Sequence, residues 1–173
     1  MIAYGLDLSM SCSGVTVFDY TNKKLEPILT MSIKTKDNQK HPQRLKTIAD
    51  YFLELKNRYP PEIIVIERGF GRFNNSTQAI FKTHGVVNYI FYDVEQIYYP
   101  PKTVKEAIAR GDATKLYIQK MLLVAYPEVQ FNNNDESDSF AVGLTYFIKN
   151  NLIEWNKEEL KKELRVRRKY ERK

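Results

Sequence analysis

The apolar positions of the chain keep two rhythms. Ile2 to Leu8 is a short, mostly apolar run that carries Asp7 at its end and gives way to a Ser/Gly-rich turn from Ser9 to Gly14, the pattern of a buried strand. Val15 to Tyr20 alternates and is rich in β-branched and aromatic residues; Thr21 to Lys24 is a polar turn, and Leu25 to Ile33 alternates again. Together these predict a three-strand antiparallel meander. From Pro42 the period changes, with Leu45, Ile48, Ala49, Phe52, Leu53 and Leu55 forming a helical stripe that Tyr59-Pro60-Pro61 ends. Glu62 to Glu67 is then a nearly continuous β-branched run, the composition of a central strand covered on both faces.

After a polar stretch from Arg68 to Thr77, the pattern predicts a helix over Gln78 to Asp93 and a strand over Val94 to Tyr99, stopped by Pro100-Pro101. Short helices follow at Thr103 to Ala109 and Ala113 to Val124, separated by the turn Arg110-Gly111-Asp112. Asn132-Asn133-Asn134 reads as a capping run for a helix over Asp135 to Asn150. The order β-β-β-α-β-α-β-α-α-α predicts an α/β fold: a five-stranded mixed sheet, the meander plus two parallel strands, with helices on both faces. The helix from Gln78 is apolar nearly all round, with Gly85 within it. Its second apolar face is met either by burial within the domain or by a second copy in a homodimer.

Composition narrows the classes. At 173 residues and 43% hydrophobic content the chain is the size of one domain with a sizeable core. A lone cysteine, Cys12, excludes a disulfide framework and a cysteine-based zinc site, and points to a reducing, intracellular compartment. No apolar run approaches a membrane span and no signal-type segment opens the chain, so a soluble, unsecreted protein is expected. The net charge of +6 is concentrated at the end, where Trp155 to Lys173 holds nine Lys or Arg against four Glu. This basic helical tail, 151–173, suits a phosphate-bearing partner. It also reads as a solvated amphipathic helix, with Ile153, Leu160 and Leu164 near one face, and the two readings are compatible.

The chemistry lies in acids. Two strands end in Asp7 and Glu67, and a helix starts with Asp135 and Asp138, three apart and therefore on one face. Asp in a first turn is also ordinary helix capping. If the two strands are parallel neighbours, however, their ends meet on the sheet edge where α/β folds place their sites. Four carboxylates gathered there repel one another unless a cation joins them. Such hard oxygen ligands suit Mg2+ or Mn2+, and a pair of these ions can clamp the attacking and leaving oxygens of a phosphodiester. Hydrolysis of nucleic acid is the leading expectation. His41 and His84 have no metal-spaced partner and read as structural.

These acids, in this order, resemble those of the RuvC family of Holliday junction resolvases, within the RNase H-like superfamily, along residues 2–150. GLDLSMSCSG (Gly5 to Gly14) matches the first-strand motif at Asp7 and Gly14. VIERGF (Val65 to Phe70) matches the second at Glu67 and Phe70, and DESDSFAVGL (Asp135 to Leu144) matches the last-helix motif at Asp135 and Asp138. Between them, PPKTVKEAIARGDATK aligns with a basic DNA-facing segment and puts Lys105 and Lys115 on the family's DNA-contacting lysines.

The resemblance implies an RNase H-like nuclease domain over 1–150. It further implies a cytoplasmic homodimer, joined through the helix from Gln78 to Asp93, that nicks four-way DNA junctions by hydrolysis with two Mg2+ ions per site, Mn2+ substituting, in recombination, repair or phage DNA processing. Asp7, Glu67, Asp135 and Asp138 would hold the metals, and Phe70 would be the aromatic wedge that stacks on a base. Phe70, Arg68, Arg72, Lys102, Lys105, Arg110 and Lys115 are the residues expected on DNA. The chain departs from the pattern at Leu8-Ser9, where the family commonly has Pro-Gly, at Arg68, often Gln, and in the tail. These departures extend the expected substrates to forks and flaps. The alternatives are an RNA-processing or ribonuclease H-type enzyme on the same fold and a junction-binding protein without catalysis. The sugar-kinase and Hsp70 ATPases, whose first strands also end in Asp, need roughly twice this length and a Gly-rich phosphate loop that is missing here.

Overall fold

The β-branched run at Ile63–Glu67 becomes β4, and the sheet is ordered around it and its neighbour β1. A computed structural model describes residues 1–69 and 75–170. Its strands are β1 (Ile2–Asp7), β2 (Cys12–Thr21), β3 (Lys24–Lys34), β4 (Ile63–Glu67) and β5 (Glu95–Tyr99). Its helices are α1 (His41–Arg58), α2 (Asn75–Ile90), α3 (Pro101–Ile108), α4 (Lys115–Ala125), α5 (Asn134–Lys149) and α6 (Lys157–Tyr170). The strand order is β3-β2-β1-β4-β5; β1, β2 and β3 pair antiparallel, while β1 with β4 and β4 with β5 pair parallel. This is the mixed sheet that the sequence pattern predicts.

Alternate residues of β1 and β4 serve opposite faces, as the period of two requires. Tyr4, Leu6, Ile64 and Ile66 join Ile48, Phe52, Val87 and Phe91 in a core under α1 and α2. Ala3, Ile63 and Val65 join Val104, Ile118, Met121, Phe140 and Phe147 in a second core under α3, α4 and α5. On that face α5 lies backbone to backbone against β1: a Cβ on Gly5 would stand 2.2 Å from the Ser139 carbonyl oxygen and 2.6 Å from the Gly143 nitrogen. Only glycine permits that approach. It seats α5, and with it the acids of its first turns, directly on the strand that carries Asp7.

Local chemistry moves several boundaries. The helix expected from Gln78 starts at Asn75 and stops at Ile90, after which the Gln96 amide donates to the carbonyls of Asn88 and Phe91. α3 begins at Pro101, a position where proline loses no helical hydrogen bond. α4 begins only at Lys115, because Thr114 caps it by accepting from the Tyr117 N–H at 3.2 Å.

The basic tail packs. Leu164 is buried in the α3–α5 core, Leu160 lies against it, and the Trp155 indole donates to the Ile108 carbonyl at 2.9 Å. Arg167 donates to the Leu123 carbonyl at 3.3 Å, whereas Lys162 and Arg165 face solvent. Leu123 is about 12 Å of helix along α4 from Lys115, so α6 lies toward the opposite end of that helix.

Candidate active site

The parallel register pairs Leu6 with Ile66, so the next residues, Asp7 and Glu67, leave the sheet side by side. Across β1, β2 and β3 the register continues from Asp7 to Gly14 to Ser32. The N-terminus of α5 sits over this row: a Cβ on Gly14 would stand 1.9 Å from the Asp135 carbonyl oxygen. Asn133 caps the helix by accepting the Glu136 N–H at 3.0 Å, and Asp135 and Asp138 project from its first turns. Three elements distant in sequence thereby bring the four predicted acids to one end of the sheet.

Electrostatics register the crowding. Burial, then the charges of Glu67 and Asp138, push the Asp7 carboxyl up to about 7; Lys115 opposes the rise and Asp135 adds to it. Glu67 is also raised, by burial first and by Asp138 second, with Lys115 and Lys105 pulling it down. Lys115 stands among the acids. It donates to Asp138, and although burial works to lower its pKa, Asp138, Asp7 and Glu67 together leave it raised. A cavity of about 240 Å3 opens between Glu67, Lys105, Lys115 and Asp138, lined also by Val104 and Ile118.

The donor set fits a hard divalent cation in its chemistry. Two of the four acids are engaged: Lys115 holds Asp138, and the Cys12 thiol hydrogen-bonds to Asp135. Among the described residues no three His, Cys, Asp or Glu side chains are gathered closely enough to hold one ion. Joint ligation of an ion therefore requires the acids to draw closer together than they stand here.

Of the residues expected on DNA, Lys105 and Lys115 line the cavity with the acids. Arg68 is exposed beside Glu67, its N–H bonded to the Tyr99 carbonyl at 2.8 Å. Lys102 and Arg110 are outside the cavity lining and pair on the surface with Glu106 at 3.8 Å and Asp112 at 3.1 Å. Phe70 and Arg72 lie outside the described residues. His84 is buried against Tyr98, and His41 is 3.5 Å from the Lys82 ammonium.

Residues that the sequence pattern did not single out also shape the site. The loop after Asp7 is fixed by the Ser9 and Ser13 hydroxyls, and Arg44 ties it to α1 by donating to Ser11 at 3.0 Å and Thr35 at 2.7 Å. Cys12 is pushed up to about 11 by burial first and by its bond to Asp135 second, with Ser32 and Lys34 opposing. Glu136 turns inward, away from the acids. Only the D-E-S-D spelling, with a charge on the helix's inner face, could have signalled it.

A family model described as Crossover junction endodeoxyribonuclease RuvC matches residues 3–146. The chain belongs to the RuvC family. A RuvC from Caldanaerobacter subterraneus subsp. tengcongensis is 28% identical over 159 residues, 89% of this chain and 96% of its own length. One from Endomicrobium trichonymphae is 28% identical over 163 residues, 90% of this chain and 84% of its own. Among solved structures, Thermus thermophilus RuvC aligns with a TM-score of 0.76 at 22% identity, covering 88% of this chain and 96% of that one. The fowlpox virus Holliday junction resolvase aligns with a TM-score of 0.56 at 16% identity, covering 87% and 99%. These likenesses show the RuvC fold.

Proposed function

We propose that this chain is a metal-dependent endonuclease that cleaves four-way (Holliday) junctions, and other branched DNA such as forks and flaps. The observation that carries the reading is the convergence of Asp7, Glu67, Asp135 and Asp138 on one sheet end around Lys115. Support comes from the family, whose described members are crossover junction endodeoxyribonucleases, and from a T. thermophilus RuvC of the same fold in complex with Holliday junction substrate.

In this reading the four acids hold two Mg2+ or Mn2+ ions. When bound, such ions activate water and neutralise charge at the phosphodiester. Lys105 and Lys115, which line the cavity beside Glu67 and Asp138, would take the phosphates flanking the cut. Phe70, on the segment after Glu67, would take the base-stacking role expected of it, and Arg72 would be a DNA contact.

A homodimer through α2 belongs to the same proposal. Phe81, Tyr89 and Tyr92 are 59%, 80% and 80% exposed, large apolar groups left to solvent on one side of α2 and the turn after it. A groove of about 870 Å3 between α1 and α2 passes Leu45, Leu53, Gly85 and Tyr89, and a Cβ on Gly85 would meet nothing within 4 Å. A second copy of α2 supplies what covers this face. No helix among the described residues is long and apolar enough to cross a membrane.

The test is cleavage of labelled junction, fork, flap and RNA–DNA hybrid side by side in Mg2+, with Asp7→Asn in parallel. The junction is expected to be cut, and the variant to bind it without cutting. Preferential cutting of the hybrid would turn the reading to a ribonuclease H-type enzyme. Binding without cutting by the unaltered protein would leave a junction-binding protein.

A further inference from the structure

Glu136 lies between two acids of the site, yet it faces the protein. It is 3% exposed. Its carboxylate accepts from the Asn132 N–H at 2.7 Å, the Asn132 amide at 3.1 Å and the Ser32 hydroxyl at 3.2 Å. The Asn133 amide closes the ring by donating to Ser32 at 2.8 Å. A carboxylate is costly to bury unless its oxygens are satisfied, and here neutral donors on β3 and on the turn before α5 satisfy them.

Capping explains only part of this residue: at the third position of α5, its acceptance of the Asn132 N–H reciprocates the bond that Asn133 accepts from the Glu136 N–H. Asn133 already caps α5, and Asp135 already puts negative charge in its first turn. What Glu136 adds is attachment to β3. Ser32 stands opposite Gly14, which stands opposite Asp7, so the point of attachment lies on the strand row that ends at the site. Gly14 in turn supports the Asp135 backbone from below. The first turn of α5 is thus held at three places: by its cap, by contact with Gly14, and by the bonds of Glu136 to Ser32 and Asn132.

We propose that Glu136 is a positioning residue, which by fastening the start of α5 to β3 sets where Asp135 and Asp138 stand relative to Asp7 and Glu67. The inference rests on the reading of those acids as metal ligands. Groups that orient ligands typically change metal affinity by 10- to 100-fold when removed. Glu136 acts before any metal arrives, so its effect is legible in metal binding without DNA.

The experiment uses the full chain with Glu136→Ala, Glu136→Gln, Ser32→Ala and Asp135→Asn. Binding of Mn2+ without DNA is followed by the spectrum of the free ion, the Mn2+ dependence of junction cleavage is measured, and metal-free thermal midpoints are recorded. Glu136→Ala is expected to weaken Mn2+ binding and raise the half-saturating Mn2+ by about tenfold, with the rate at saturating Mn2+ largely retained. Glu136→Gln, which keeps an acceptor for Asn132 and Ser32, is expected to restore most of that loss, and Ser32→Ala to reproduce part of it.

Mn2+ binding as in the unaltered protein, with only a lowered midpoint, would make Glu136 purely structural and overturn the proposal. If Glu136→Ala does not fold, Ser32→Ala decides: an unchanged Mn2+ titration overturns the proposal and a weakened one supports it. Asp135→Asn separates the layers. If it binds Mn2+ and cuts normally, the ligand reading itself fails; if it is defective while the Glu136 and Ser32 variants are normal, only the present inference fails.

Discussion

The Lys115 ammonium donates to the Asp138 carboxylate, placing the first residue of α4 among the acids of β1, β4 and α5. In the metal-free protein it is a cation that Asp138, Asp7 and Glu67 share. Lys115→Gln is therefore expected to have opposite effects on two measurements. Mn2+ binding without DNA should tighten by about tenfold, or 1.4 kcal/mol, because a competing charge is gone. Junction cleavage should fall, because the cation proposed to meet a phosphate is gone. Unchanged Mn2+ binding would refute the competition.

Asp7 links the site to stability. Its carboxyl titrates near 7 in the folded chain, against 3.8 for an ordinary Asp, so between those values the folded state holds a proton that the unfolded state has lost. The contribution of Asp7 to stability is then fully present below about pH 4 and is lost as pH rises to about 7. Metal-free Asp7→Asn should lack that decline and melt higher than the unaltered protein at pH 8. Thermal melts in chelator at pH 4 and pH 8 measure it; a lower midpoint for the variant at pH 8 would contradict the cause assigned here.

Gly14→Ala places a methyl group into the Asp135 carbonyl. The start of α5 has to move, and displacement of a catalytic group by about 1 Å can cost 100-fold in rate. Cleavage should drop by about that factor while circular dichroism still reports a folded α/β protein. Activity close to that of the unaltered chain would show that α5 can slide.

Carboxylates on α2 test the dimer. Phe81→Asp with Tyr89→Asp removes exposed apolar surface that no buried contact within the chain requires, so the thermal midpoint should change little. In sedimentation the variant should run as a monomer where the unaltered chain runs as a dimer. Identical sedimentation of the two would exclude this face.

On α6, charge and packing are separable. Lys162→Gln with Arg165→Gln alters only exposed cations; if both meet phosphates, the log–log salt slope of junction binding should flatten by about 1.8. Deleting Trp155 onward would also remove buried Leu164 and the Trp155 bond to Ile108, and should lower the thermal midpoint. An unchanged slope in the charge variant would leave α6 as a packing element.

How much of this was legible beforehand depended on the range of the interaction. The strands and the interior place of β4 followed from alternation and from the unbroken Ile63-Ile64-Val65-Ile66 run, because burial on one or both faces writes itself into local pattern. Asp7 and Glu67 stood out because acids end apolar strands. Glu136, Cys12 and Arg44 did not, since their significance lies in partners far away in sequence: Ser32 for Glu136, Asp135 for Cys12, Ser11 for Arg44. The packing of α6 was half visible. Its apolar stripe was plain, but the surface it covers, formed by α4 and the end of α3, exists only once the chain has folded.

The crossing of α5 over β1 and Gly14 also sets, if the four acids are the cutting site proposed above, when the protein becomes dangerous to DNA. During synthesis all five strands are available once Tyr99 has emerged, and Asp7 and Glu67 can already lie side by side. Lys115 and the acids of α5 come later, from Lys115 to Asp138. A growing chain, or one clipped by a protease before Asn134, can have a sheet but only half of the acid cluster, so on the proposed reading of these acids the capacity to cut is withheld until most of the molecule has been made.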